Sequence, residues 1–188
     1  MEVEMQTAHE LFLHEMSDML DAERRLVEAL DAQAEESSNP QVKKAFAKHQ
    51  RQTERHERRL QQAFESLGEE PEDSECAGMK GLEEEHDNFI EQDPSEDILD
   101  IFNVGAAKKV ECYEITAYES LIQLAQGMGH KKAVQLLRQN LLEEQQMLKK
   151  IEQFGKKLRP LHSGMGEESI RERFTPQGKR GTSRGRAA

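Results

Sequence analysis

The sequence predicts an all-α chain, a bundle of four long helices arranged as two antiparallel hairpins. Three observations carry this. Four stretches each hold a row of side chains spaced alternately three and four residues apart, which returns them to one face of a helix. Two of the breaks between these stretches are short and one is long. The composition leans to Glu, Gln, Lys, Leu and Ala, the residues of long helices. Charged residues reach 34%, a level that raises the question of disorder, and the periodicity answers it for residues 1–158.

The first helix is expected from Thr7 to Glu36, with the row Phe12, Met16, Met19, Glu23, Leu26, Leu30. Ser37-Ser38-Asn39-Pro40 breaks it, and Asn39 before Pro40 reads as the cap and first residue of the next helix. That second helix runs to Leu67 with the row Val42, Phe46, His49, Thr53, His56, Leu60, Ala63, Leu67. Gly68 to Ser95 is a long connection containing Pro71 and Pro94, with a short acidic helix expected from Met79 to Glu91. The third long helix starts at a capped Ser-Glu-Asp-Ile and ends at Gly127-Met-Gly129. Its row is Val104, Ala107, Glu111, Glu114, Tyr118, Leu121, Ala125. The fourth runs from His130 to Leu158 with the row Val134, Leu137, Leu141, Glu144, Leu148, Ile151.

Rows of this kind are bundle seams. A long crossover between two tight hairpins is the ferritin-like way of assembling four helices. The bundle is expected to occupy residues 1–158. After Pro160 the pattern gives way to Gly, Ser, Pro and Arg, so residues 159–188 read as a basic, disordered tail.

Charge is divided the same way. From Arg159 onward seven Lys/Arg face three Glu, a balance of +4, whereas the body holds 19 Lys/Arg against 34 Asp/Glu, or −15. Such a body excludes a nucleic-acid surface, which leaves only weak contact through the tail. Cys76 and Cys112 make neither a disulfide framework nor a paired metal knuckle. Met1-Glu-Val-Glu-Met is acidic with no apolar run behind it, so no signal peptide is expected. No stretch approaches the ~20 apolar residues of a membrane span. The expected compartment is the cytoplasm.

Each seam is apolar except near its middle, where Glu23, Thr53 and His56 with His49, Glu111 with Glu114, and Glu144 interrupt it. Glu23 lies 15 residues before Ser38 and His56 18 after it; counted from Met128, Glu111 lies 17 before, Glu114 14 before and Glu144 16 after. At about 1.5 Å per residue, all five stand roughly 21–27 Å from their turns, at a common level. A carboxylate in a helix seam costs several kcal/mol unless a positive charge meets it there. Four carboxylates balance two divalent cations, and an oxygen-rich set with one imidazole favours iron or manganese over zinc or copper. The competing reading of Glu111 and Glu114 is a solvated or dimer-facing stripe. For His56 it is a core imidazole bonded to a neighbouring carboxylate. His49 is expected to stand behind the ligands or to be structural, and Tyr118 to be a core tyrosine within reach of Glu114. Cys112 flanks the seam, and Glu83-Glu84-Glu85 reads as a solvated face. The remaining histidines have no partner at ligand spacing.

Val110-Glu-Cys-Tyr-Glu-Ile-Thr-Ala-Tyr118, with Asp21-Ala-Glu-Arg-Arg-Leu26, Thr53-Glu-Arg-His-Glu-Arg-Arg-Leu60 and Leu141-Leu-Glu-Glu144, resembles the bacterial YciE/YciF-type ferritin-like proteins over residues 8–158. The chain departs from that pattern at Cys112, Gln52 and Leu148, where the family often has His, Glu and Asp. The resemblance implies a ferritin-like bundle, homodimers and a place in stress responses. The expectation is therefore a dinuclear iron or manganese protein acting on peroxide or oxygen, its metals held by Glu23, His56, Glu111, Glu114 and Glu144. Peroxide disproportionation and iron oxidation fit this set equally. The rival is a metal-free helical dimer with a structural or interaction role.

Overall fold

The computed structural model describes residues 5–158, so the expected tail lies outside the described residues. Five helices follow in order: α1 (Ala8–Glu36), α2 (Pro40–Leu67), α3 (Ala77–Ile90), α4 (Glu96–Gly127) and α5 (Lys131–Lys157). No strand occurs among the described residues, and no helix there is long and apolar enough to cross a membrane.

The helix ends follow local chemistry. Thr7 and Glu10 form a reciprocal capping box at the start of α1, each satisfying an amide of the other. Asn39 Oδ1 accepts from the amides of Gln41 and Val42, with Pro40 as the first helical residue of α2. Gly68 closes α2 at φ 74°, a left-handed conformation that costs glycine least. Two starts differ from expectation. α3 begins at Ala77 rather than Met79 because the Cys76 thiol accepts from the Met79 amide and caps it. Ser95 stands at the cap of α4, but its hydroxyl bonds Asp97 instead of a helix amide.

α1 packs along α2 and α4 along α5, and the two hairpins close through α2 against α5 and α1 against α4. The crossover climbs beside α1. The Glu72 amide meets Ser17 Oγ, the Cys76 amide meets Asp21 Oδ2, Glu83 pairs with Arg25 and His86 with Glu36. At the top, Asp100 of α4 takes the Ser38 hydroxyl and the amides of Ser38 and Asn39, fastening the crossover's exit to the first turn. A carboxylate at that helix N-terminus is also favoured by the α2 dipole. The chain thus returns to the top before α4 descends, and each adjacent pair among the four long helices is antiparallel, while α3 runs parallel to α1. This is the ferritin-like four-helix arrangement, with α3 as the short extra helix.

The α1 and α4 rows are buried throughout, as is the α2 row as far as Ala63. On α5, Val134, Leu141 and Leu148 are only half-buried, and Leu136, Asn140 and Met147 turn inward beside Leu137, Glu144 and Ile151. Phe12, Phe46, Leu60, Phe64 and Leu121 fill the seam above and below its polar middle. Truncating Leu60 to Ala would cost ~2–5 kcal/mol. Glu84 and Glu85 are exposed as expected, while Glu83 is half-buried against Arg25.

Candidate metal centre

Glu23 on α1, His56 on α2, Glu111 and Glu114 on α4 and Glu144 on α5 are all buried, at 0–1% exposure. That level of exposure removes the reading of the α4 carboxylates as a solvated stripe. The common level has a geometric reason. Helices of 27–32 residues are roughly 40–48 Å long, so points about 22 Å from either end meet at mid-bundle.

His49 corrects the expectation. It is fully buried in the same cluster, its Nε2 3.0 Å from Glu111 Oε1 and 3.4 Å from Glu144 Oε2. Seven residues on α2 separate His49 from His56, about 10.5 Å along the axis, yet the ring centroids are 6.4 Å apart. The two imidazoles lean together over Thr53, a small residue whose hydroxyl is occupied by the His49 carbonyl at 3.3 Å. The signal lay in the sequence, since a spacing of seven keeps two side chains on one helical face. Height counted along the axis hid it, because it ignores how far an imidazole reaches.

The donor atoms form two groups that share Glu144. His49, Glu111, Glu114 and Glu144 each offer one atom within 4.8 Å of the others, and so do Glu23, His56 and Glu144. α1 and α2 supply Glu23, His49 and His56; α4 and α5 supply Glu111, Glu114 and Glu144. The total is four carboxylates and two imidazoles. A carboxylate-bridged bundle, with one Glu from each of two helices and Glu-x-x-His from the other two, has the same inventory. Here both imidazoles come from one helix.

These atoms crowd without bonding one another. His56 Nδ1 is 2.5 Å from Glu144 Oε1 and 3.4 Å from Glu23 Oε1, but lacks the alignment of a hydrogen bond. Both His49 nitrogens, both Glu114 oxygens, both Glu144 oxygens, Glu23 Oε2 and Glu111 Oε2 are buried with no hydrogen-bond partner among the described residues. Buried polar atoms are ordinarily paired, and each that is not costs about 1–3 kcal/mol. So many converging orphans fit a cation between them.

Electrostatics agree. Burial pushes the Glu111 carboxyl up to about 8. Burial, then the neighbouring carboxylates, hold Glu114 well above the ordinary range, and burial also raises Glu23 and Glu144. Burial lowers His49. It opposes the charge of His56 too, but Glu23, Glu143 and Glu144 outweigh it and hold His56 well above the imidazole range. The metal-free cluster therefore carries protons where cations would sit.

Tyr118 donates to Glu23 Oε1, across the bundle, rather than to Glu114 on its own helix. Cys112 is exposed. Among the described residues the other histidines join neither donor group: His9 meets Glu69 at 3.2 Å and His86 meets Glu36 at 3.3 Å, each away from the centre.

The family described as "Domain of unknown function (DUF892)" matches residues 7–160. Protein YciF of Escherichia coli (strain K12) is 36% identical over 141 residues, 74% of this chain and 85% of that protein. The crystal structure of the E. coli stress protein YciF matches with a TM-score of 0.79 at 34% identity, covering 81% of this chain and 97% of that one. YcfI of Rhodopseudomonas palustris gives 0.78 at 32% identity over the same shares. A two-domain protein of Anabaena variabilis, with DJ-1/ThiJ/PfpI-like and ferritin-like domains, gives 0.57 at 15% identity, covering 96% of this chain and 42% of that one. This last likeness is one of fold alone.

Proposed function

The chain belongs to the DUF892 family, and from that premise we propose that it is a ferritin-like, stress-associated protein that holds two iron or manganese ions and acts on peroxide or oxygen. One observation carries the reading. Six side chains of metal-ligating type from four helices converge in the buried middle of the bundle, most of their donor atoms without hydrogen bonds among the described residues. The stress role is supported by the likeness to YciF, described as a stress protein.

The residues suit that pair of ions. Four carboxylates offset two divalent cations, and a set dominated by oxygen with two imidazoles suits iron or manganese. His49, Glu111, Glu114 and Glu144 would hold one ion, and Glu23, His56 and Glu144 the other. Two such ions supply two-electron exchange with peroxide or oxygen without an organic cofactor. The chain itself contributes burial that excludes bulk water. It also holds a proton between His56 Nε2 and Glu143 Oε2, 2.9 Å apart.

The test is elemental analysis of the full chain after anaerobic loading with Fe(II) or Mn(II) and removal of excess ion. About two ions per chain are expected. Fewer than ~0.2 per chain would overturn the reading and leave a metal-free bundle.

A further inference from the structure

The two donor groups differ in what stands behind them. Behind Glu23 and His56 runs a continuous chain of hydrogen bonds. Tyr118 Oη donates to Glu23 Oε1 and accepts from Asn140 Nδ2 at 2.9 Å. Asn140 Oδ1 accepts from Arg59 Nη1 at 2.9 Å, and Arg59 Nη2 donates to Glu143 Oε1 at 3.0 Å. Glu143 Oε2 then meets His56 Nε2 at 2.9 Å. Asn140 Nδ2 also donates to the His56 carbonyl at 3.2 Å, tying the chain to the α2 backbone.

Behind His49, Glu111 and Glu114 there is no such support. Both nitrogens of His49, both oxygens of Glu114 and Oε2 of Glu111 are buried without hydrogen bonds among the described residues. The asymmetry was not visible in the helical rows, because Arg59, Asn140 and Glu143 lie beside the stripe rather than on it.

We infer that the two cation positions are unequal. Tyr118, Asn140, Arg59 and Glu143 are positioning residues for the Glu23–His56 position alone, and the His49–Glu111–Glu114 position is shaped only by the cation it takes. The inference rests on the dinuclear reading. Its physical basis is general. An imidazole that gives one ring N–H to a carboxylate has its tautomer and plane fixed, leaving the other nitrogen aimed at the metal. Here Nε2 is the fixed atom and Nδ1 faces Glu23 and Glu144. A ligand already held loses little side-chain freedom when the metal binds, whereas an unsupported one must be ordered at that moment.

Glu143 and Tyr118 sit at opposite ends of the chain of bonds, so they make paired probes. Glu143 is partly exposed, with 23% of its side chain accessible, and Tyr118→Phe keeps its bulk. Either change should therefore leave the bundle folded. The experiment is anaerobic calorimetric titration of Mn(II) into the full-length metal-free chain, followed by electron paramagnetic resonance of the loaded protein. For wild type, two Mn(II) per chain and the broad spectrum of a coupled pair are expected.

In Glu143→Ala and in Tyr118→Phe, the same one of the two ions should weaken by about 10–100-fold. The other should hold within about twofold, and at one equivalent the six-line spectrum of an isolated Mn(II) should appear. Glu143→Gln, which keeps an acceptor for His56, should recover part of the loss. His49→Ala should weaken the other ion. If Glu143→Ala and Tyr118→Phe weaken different ions, weaken both equally or weaken neither, the inference fails while the dinuclear reading stands. If wild type binds no Mn(II), that reading fails and takes the inference with it.

Discussion

His49 and His56 bring their rings to 6.4 Å between centroids from positions seven residues apart on one helix. Two turns of α2 therefore supply both imidazoles of the centre, in a bundle where each of two helices would otherwise give one. The pairing makes His49 a candidate ligand, and a substitution separates that role from packing. His49→Leu fills the same space with apolar atoms and should leave the metal-free protein as stable as wild type or more so. Its Mn(II) affinity should fall at least about 10-fold. Unchanged affinity in equilibrium dialysis would return His49 to the role of a core imidazole.

Glu111→Leu applies the same logic to a carboxyl that burial already holds neutral over much of the pH range. Removing it spares a desolvation cost on the order of 1 kcal/mol. In the metal-free protein this should raise Tm, by about 2–4 °C for each kcal/mol gained. The rise in Tm on adding Mn(II) should shrink, because stabilisation by a ligand follows its affinity for the native state. Equal Mn(II)-induced shifts in the two proteins would show that Glu111 binds nothing.

The raised carboxyl groups also set a pH dependence. Glu111, with Glu23, Glu114 and Glu144 shifted the same way, is native-compatible chiefly as the neutral acid. Below about pH 4.5 these groups cost nothing, because the unfolded chain is protonated too. As pH rises toward 8 the unfolded carboxylates ionise first, and the native state loses stability. His56, raised, acts in the same direction once pH passes the usual imidazole value, whereas His49, lowered, acts in the other. The metal-free protein should accordingly melt lower at about pH 8 than at about pH 5.5. Cations displace these protons, so the Tm shift on adding Mn(II) should grow over the same interval. A metal-induced shift that ignores pH, measured by scanning calorimetry, would mean that no protons leave the cluster.

Gly78 tests the docking of α3. A Cβ there would stand 2.7 Å from Tyr113 Cε2 and 2.9 Å from its hydroxyl oxygen. Tyr113 is held in place, donating to Asp18 Oδ2 at 3.2 Å with the Cys76 thiol 3.0 Å from its hydroxyl. Gly78→Ala gains about 1 kcal/mol in helix propensity and meets an overpacking cost of about 1–3 kcal/mol. A net loss on the order of 1 kcal/mol is expected. Amide exchange should quicken in α3 and stay unchanged in the middle of α2. Unaltered exchange in α3 would show that the ring swings aside freely.

What the sequence made legible follows the range of each interaction. Asn39 before Pro40 and the three/four spacing of the α4 row from Val104 to Ala125 are set within one or two helical turns, and each is found where the pattern puts it. The mid-bundle carboxylates were legible because they interrupt apolar rows. His49 was placed too far from them because its reach over Thr53 depends on a rotamer, not on spacing. The partners furthest from reach were Glu143, Arg59 and Asn140, which lie off the row and meet His56 and Tyr118 only once α5 is laid against α2 and α4. The climb of the crossover along α1 rests likewise on bonds such as Cys76 to Asp21, between residues 55 apart.

The division of the donors between hairpins bears on how the molecule comes apart. One half, α1 with α2, holds both imidazoles and a single carboxylate; the other, α4 with α5, holds three carboxylates. Neither half encloses a cation, so the cage exists only after the halves have met. If they meet after the rate-limiting step, a cation held there leaves the speed of folding untouched and appears wholly as slower unfolding. Loading would then set the lifetime of the folded chain, much as a clasp holds shut a case it did nothing to close.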